Sequence, residues 1–251
     1  MGIFSSLFGA AIGGMFGGPL GAILGYAIGS NINTNTHRGS SYSQRDLQTA
    51  FTIALVSLAA KVAKADGKVC ENEIDAFDHF LKCNLNMSVQ ERQHAAKIFN
   101  AARDSTYPPE DFAKQLKSIF SQQSDRLRDV ITILYMIGFA DGQIHPSEEE
   151  LIKDIGLAMG LNLQDIQQCR ATLDSVQSNH RCTIDEAYQV LGVSPNDSDK
   201  QIKSAHRKLV REYHPDKLAS KGLPKDFNEF AKQKMVAINE AWDMIKSKRC
   251  L

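Results

Sequence analysis

An uncharged apolar run opens the chain. From Ile3 to Gly29 no side chain is charged over 27 residues. A helix of that length rises about 40 Å at 1.5 Å per residue, which exceeds a hydrocarbon core of roughly 30 Å. Because nothing basic precedes the run, a cleaved secretory signal is not expected. The pattern therefore predicts a transmembrane helix within residues 1–30.

The first basic residues after this run predict its orientation. Arg38 and Arg45 follow the apolar segment, and no basic residue comes before it. Basic residues are enriched on the cytoplasmic side of membrane helices. We therefore expect a single pass that leaves a short N-terminus outside and the bulk of the chain in the cytoplasm.

Glycines recur at every fourth position of the apolar run and would lie along one side of a helix. They are Gly9, Gly13, Gly17, Gly21, Gly25 and Gly29. Such overlapping G-x-x-x-G motifs let helix backbones approach closely, which predicts a homodimer through the membrane helix. The alternative is a weakly inserting, peripheral segment, because Gly, Ala and Ser dilute the hydrophobicity and Pro19 breaks the helix.

Beyond a polar tether at residues 31–43, apolar positions recur at three- and four-residue steps from 44 to 176. Leu47, Phe51 and Leu58 show this helical spacing, and no strand-like alternation interrupts it. The pattern predicts an all-helical domain. Helix boundaries are indicated by a Ser88–Glu91 capping box, by Pro108 and Pro109 in a loop, and by Pro146 at a first helical position.

Two short segments of this domain resemble each other. Residues 65–69 read Ala-Asp-Gly-Lys-Val, and residues 140–144 read Ala-Asp-Gly-Gln-Ile. On the structural interpretation, Gly67 and Gly142 adopt left-handed conformations at helix ends, while Val69 and Ile144 fill the core.

The repeated segments also supply acids for a second interpretation. Asp66, Glu73, Asp141 and Glu148 could form an oxygen-rich site for a hard divalent cation. Acids in the first turn of a helix are common for structural reasons, so both interpretations stay open. The paired segments resemble the TerB-type, tellurite-resistance-like fold, and this resemblance implies a proposed metal-binding role for such acids.

Total charge and cysteine content exclude several function classes. The 29 Lys and Arg balance the 29 Asp and Glu, which argues against a nucleic-acid-coating protein. The five cysteines are odd in number and contain no C-x-x-C pair, which argues against a disulfide framework, a zinc ribbon or a redox dithiol. No cofactor is predicted.

After a polar linker at residues 177–182, three more helices are predicted in a C-terminal module. Thr183 with Glu186 and Ser198 with Gln201 form capping boxes that open the first two. The first ends at Gly192, the second near Tyr213, before Pro215. A third helix spans about Asn228 to Ser247. The second and third helices are expected to form an antiparallel hairpin.

The second of these helices has two unlike faces. Ile202, Ala205, Leu209 and Tyr213 form an apolar stripe. The opposite face is strongly basic. Its residues are Lys200, Lys203, Arg207, Lys208 and Arg211.

This module resembles the J domain of the DnaJ family over residues 183–251. The resemblance rests on Tyr188-x-x-Leu-Gly-Val, the basic second helix, His214-Pro215-Asp216-Lys217, and Ile238-Asn239-Glu240-Ala241-Trp242. Its position behind a TerB-like domain and a glycine-rich membrane helix resembles the DjlA co-chaperones of the bacterial inner membrane. The Gly/Phe-rich segment and zinc repeat of other J proteins are missing.

The resemblance implies a regulatory co-chaperone without catalytic residues of its own. His214, Pro215 and Asp216 match the tripeptide that triggers ATP hydrolysis in a DnaK-type partner. Tyr213 and Lys217 flank that contact, and the partner's acidic surface meets Lys203, Arg207, Lys208 and Arg211. The alternative function is a metal-binding or envelope-stress sensor in the middle domain, with the J domain as its output.

Overall fold

A computed structural model describes residues 17–28, 44–65, 67, 71–83, 85, 87–121, 123–139, 143–177, 183–214, 228–249 and 251. Within these ranges every regular element is an α-helix, which confirms the all-α prediction. Residues 1–16 and 29–43 lie outside the described part, so the predicted tether and most of the predicted membrane helix are not represented.

In the part of the middle domain that the structure describes, the chain forms seven helices. They are α2 (Gln44–Val62), α3 (Glu71–Cys83), α4 (Val89–Asp104), α5 (Pro109–Ile119), α6 (Ser124–Gly138), α7 (Pro146–Ala158) and α8 (Leu163–Gln177). α2 is buried along nearly its whole length and packs against α4, α5 and α6. It is therefore the central helix of the core, as expected for a helix that is apolar on all sides.

Local sequence signals account for several helix ends in this domain. The Ser88–Glu91 capping box is present at α4, and Pro146 is the first residue of α7, as predicted. The prediction for the proline pair was partly wrong. Pro108 is the N-cap of α5, but Pro109 is the first residue of that helix, where the missing N–H costs no intrahelical hydrogen bond.

The first repeated segment follows the structural interpretation at its glycine. Gly67 has φ of +93°, in the left-handed region, and its N–H donates to the carbonyl of Lys64 at 2.9 Å. In the second segment, Ile144 is half-buried against the core. Val69 and Gly142 lie outside the described residues.

An additional helix, α1 (Gly18–Ile28), represents the end of the predicted membrane segment. It packs against α2, α4 and α5 of the middle domain, with Leu20, Ile23 and Leu24 buried. Pro19 does not break this helix, because it lies in the first turn. Among the helices that the structure describes, none is long and apolar enough to cross a membrane.

The described residues of the C-terminal domain form three helices: α9 (Ile184–Val190), α10 (Asp199–Glu212) and α11 (Asn228–Arg249). Both predicted capping boxes are present, and Gly192 has φ of +66° after α9. α10 packs against α11, and the ring of His206 stacks on Trp242 with 4.6 Å between ring centroids. The predicted hairpin is therefore confirmed for its two helices.

Candidate functional site

The basic face predicted for α10 is present and open to solvent. Lys200, Arg207, Lys208 and Arg211 are exposed, and Lys203 is half-buried. Together with Ser204 they line one shallow surface depression. The opposite face of α10 contributes Ile202, which is fully buried, to the core of the C-terminal domain. The cluster therefore lies on a helix whose opposite face is packed into the core of the domain.

His214 follows the C-terminal end of this basic helix. α10 ends at Glu212, Tyr213 is its C-cap, and His214 is exposed. The other three residues of the predicted tetrapeptide, Pro215 to Lys217, lie outside the described part of the chain. The structure thus places the first residue of the tripeptide at the end of the basic face.

Tyr213, by contrast, points away from the solvent. Its hydroxyl donates to Asp129 Oδ1 on α6 of the middle domain at 3.0 Å. Lys234 Nζ on α11 donates to the same carboxylate oxygen at 3.0 Å and to the Tyr213 hydroxyl at 2.9 Å. All three side chains are buried: Tyr213 is 6% exposed, Asp129 is 3% exposed and Lys234 is 5% exposed. We call them the interdomain triad.

Burial of the triad has an electrostatic consequence. Burial away from water raises the pKa of Tyr213 well above its usual value, and the nearby carboxylates of Asp129 and Glu212 raise it further. The phenol is therefore a neutral donor. Asp129 and Lys234 form a buried ion pair, whose desolvation is offset only because each charge has hydrogen-bonding partners.

Middle-domain side chains also complete the end of a C-terminal-domain helix. Gln168 Nε2 on α8 donates to the carbonyl of Val190 at 2.9 Å, and Gln164 Nε2 donates to that of Gly192 at 3.3 Å. The last carbonyls of a helix have no partner within it, so the Gln168 amide caps α9, while the Gln164 amide binds the glycine that follows the helix. A Cβ at Gly192 would lie 2.9 Å from Gln168, so the close approach also requires glycine.

A second ion pair crosses the same boundary. Arg128 on α6 lies 3.1 Å from Glu212, the last residue of α10, and 3.3 Å from Asp165 on α8. Together with the triad, it holds the end of α10 against the middle domain. α10, which carries the basic face, is therefore held in place at its C-terminal end, next to His214.

Of the four acids proposed as cation ligands, only the Glu148 side chain is described. Glu148 is buried, and its Oε2 accepts a hydrogen bond from the backbone N–H of His145 at 3.0 Å. This is half of a capping box for α7 that the sequence analysis missed. Asp66 and Asp141, and the side chain of Glu73, lie outside the described residues. No metal-binding group of His, Cys, Asp or Glu occurs among the residues described.

Three family models match successive parts of the chain. The model described as tellurite resistance protein TerB matches residues 52–171. The DnaJ domain model matches residues 186–249, and the co-chaperone DjlA transmembrane domain matches residues 1–38. The chain therefore has the three domains expected for a DjlA-type co-chaperone.

Similar whole proteins agree with this domain set. Co-chaperone protein DjlA of Aliivibrio fischeri is 28% identical over 84% of this chain and 82% of its own length. The proteins of the same name from Vibrio cholerae and Escherichia coli K12 are each 29% identical, over 84% and 82% of this chain and 82% of their own length. No solved structure matches the chain. The middle domain is hence TerB-like, the C-terminal domain is a J domain, and the N-terminal region is similar to the transmembrane domain of DjlA co-chaperones.

The contact between the TerB-like domain and the J domain was not predicted from the sequence. The polar linker suggested two modules joined in series. A signal was present, since Arg126 and Asp129 lie in the turn before the largely apolar part of α6, from Val130 to Ile137, and are both buried. A charged residue beside such a run is a reason to look for a buried partner.

Proposed function

We propose that the chain stimulates ATP hydrolysis by a DnaK-type chaperone and recruits it to the cytoplasmic face of the inner membrane. One observation carries the proposal: the basic face of α10 is open and ends at His214, while the same helix is anchored from its other side. The hydrolysed bond belongs to the partner, and the chain acts as its regulator.

Charge explains how this face would bind. A cluster of lysines and arginines gains little from any single exposed ion pair, but it steers an acidic partner and fixes its orientation. On this proposal Lys203, Arg207, Lys208 and Arg211 orient the partner, and His214, Pro215, Asp216 and Lys217 make the contact that triggers hydrolysis. Tyr213 serves it indirectly, by holding the end of α10.

Anchoring is proposed to place this activity at a membrane. On this proposal the N-terminal segment crosses the bilayer once, with the TerB-like and J domains in the cytoplasm. Gly9, Gly13, Gly17, Gly21, Gly25 and Gly29 are proposed to pair two such segments into a homodimer.

Co-flotation tests the recruitment. The full chain is reconstituted in phospholipid vesicles and mixed with DnaK and ATP, and the vesicles are floated on a density gradient. DnaK should float with vesicles that hold the wild-type chain and stay at the bottom with Asp216→Asn. Equal flotation with both proteins would contradict recruitment through the tripeptide.

A further inference from the structure

α1 packs into a groove on the TerB-like domain, and this groove fits an apolar helix. Leu20 is fully buried and Ile23 and Leu24 are each 3% exposed, whereas Tyr26 on the outer side is 82% exposed. These three residues belong to the same buried cluster as the core residues of α4 and α5. The groove therefore accepts apolar side chains at positions i, i+3 and i+4 of a helix.

One polar side chain of the groove recognises the start of that helix. Gln115 on α5 accepts a hydrogen bond from the backbone N–H of Leu20 at 3.0 Å and donates to the carbonyl of Gly17. The first N–H groups of a helix have no partner within it, so this amide satisfies one of them. Gly18 lies beside the Gln115 side chain and has φ of +69°, a left-handed conformation that glycine adopts without strain. This conformation directs the chain into the first turn of α1.

The same residues have a second possible environment. Residues 18–28 fall within the range matched by the transmembrane domain model. A segment packed on α4 and α5 is outside the lipid, and a segment in the bilayer leaves the groove. In the anchored protein the apolar wall of the groove would be exposed to water, which favours its occupation by another apolar helix.

We propose that this groove is a binding site for an apolar helix of a client protein, and that α1 occupies it until the N-terminal segment enters the bilayer. The fitting client segment is uncharged and carries large apolar residues with the spacing of Leu20, Ile23 and Leu24. Exposed membrane-protein helices have this chemistry. The inference rests on the membrane anchoring in the proposed function, but not on ATPase stimulation.

Fluorescence anisotropy tests the groove without any chaperone partner. The full chain is reconstituted in phosphatidylcholine vesicles, and the probe is a fluorescein-labelled peptide of residues 17–28 with two added lysines at each end. The peptide should bind saturably, above the signal of empty vesicles. Gln115→Ala should weaken binding roughly tenfold because two hydrogen bonds are lost. The matched control is Gln90→Ala, an exposed glutamine on α4, which should bind normally.

A photo-crosslinker at the N-terminus of the peptide provides a second readout on the wild-type chain. The crosslink should map to α5 near Gln115. Binding no greater than to empty vesicles, a crosslink elsewhere, or equal affinity for the folded Gln115→Ala variant would each overturn the proposal. Because DnaK is absent, these outcomes leave the proposed ATPase stimulation untouched.

Discussion

The hydroxyl of Tyr213 donates to Asp129 Oδ1 across 3.0 Å, and so links the residue before His214 to the TerB-like domain. Lys234 joins both groups and is itself buried. The J domain is thus not a free module on a linker. Its orientation is set by contacts at the end of the helix that presents the basic face.

Removal of Asp129 should destabilise the protein strongly. Asp129→Ala leaves the Lys234 ammonium buried without its carboxylate, which costs about 3–5 kcal/mol for a broken buried pair. Chemical denaturation of the full chain in detergent measures the loss. Asp154→Ala, which removes an exposed carboxylate of α7, should change the free energy of unfolding by less than about 0.5 kcal/mol.

A double variant separates the ion pair from simple packing. In Asp129→Leu with Lys234→Met neither charge is left alone, so the cost should be smaller than the sum of the two single changes. Additive costs would show that the two side chains act independently, contrary to the triad.

Because its pKa is raised, Tyr213 should make the free energy of unfolding fall at alkaline pH. The folded phenol, with its raised pKa, stays protonated while an unfolded tyrosine ionises near pH 10. Its contribution to stability is therefore complete below pH 10 and is lost as the pH rises from 10 towards the raised pKa. At pH 8 the free energy of unfolding of Tyr213→Phe should be about 1 kcal/mol lower than that of wild type. Between pH 8 and about pH 10.5 the free energy of unfolding should fall less for Tyr213→Phe than for wild type.

Denaturant midpoints at the two pH values measure this difference. Burial raises the pKa of Tyr135 to about 12, so that residue contributes an alkaline decline of the same sign in both proteins. The comparison with Tyr213→Phe removes it. Parallel declines in the two proteins would show that Tyr213 is not the titrating group.

Local signals explain why much of this fold was predictable. The capping boxes at Ser88, Thr183 and Ser198 use side chains three residues apart, and Gly192 ends its helix by its own conformation. The basic face of α10 follows from helical spacing alone. Each of these features is settled within a few residues of sequence.

The unpredicted features depend on contacts between distant parts of the chain. Tyr213 and Asp129 are 84 residues apart, and Leu20 and Gln115 are 95 apart. Periodicity shows that a helix has an apolar face but not which element covers it. For that reason the uncharged segment at residues 18–28 indicated lipid, although its apolar side chains also fit the TerB-like domain.

Charge reversal on α10 should weaken the binding of DnaK. Lys203→Glu combined with Arg207→Glu places two negative charges on the basic face, and we expect a dissociation constant higher by about tenfold or more. Raised salt should weaken the wild-type interaction through screening. Lys248→Glu, an exposed lysine near the end of α11, is the matched control and should bind normally in surface plasmon resonance. Salt-independent binding that also survives the double reversal would contradict electrostatic docking.

Larger side chains in the glycine row should reduce self-association in membranes. Gly17→Leu with Gly21→Leu keeps the segment apolar but prevents close backbone approach, since lipid supplies no hydrophobic drive for helix pairing. Crosslinking in vesicles should show less dimer than for wild type. Ala22→Leu adds bulk beside the row and should dimerise normally. If the double leucine variant dimerises as well as wild type, the glycine row does not mediate self-association.

The central claim is that the J domain triggers ATP hydrolysis in a DnaK-type partner. Its most direct measurement is the steady-state ATPase rate of DnaK with the vesicle-reconstituted full chain, compared between wild type and His214→Gln. We expect the wild-type chain to raise the rate severalfold and His214→Gln, with unchanged helicity by circular dichroism, to leave it at the basal value. Equal stimulation by the two proteins, or none by wild type, would contradict the claim.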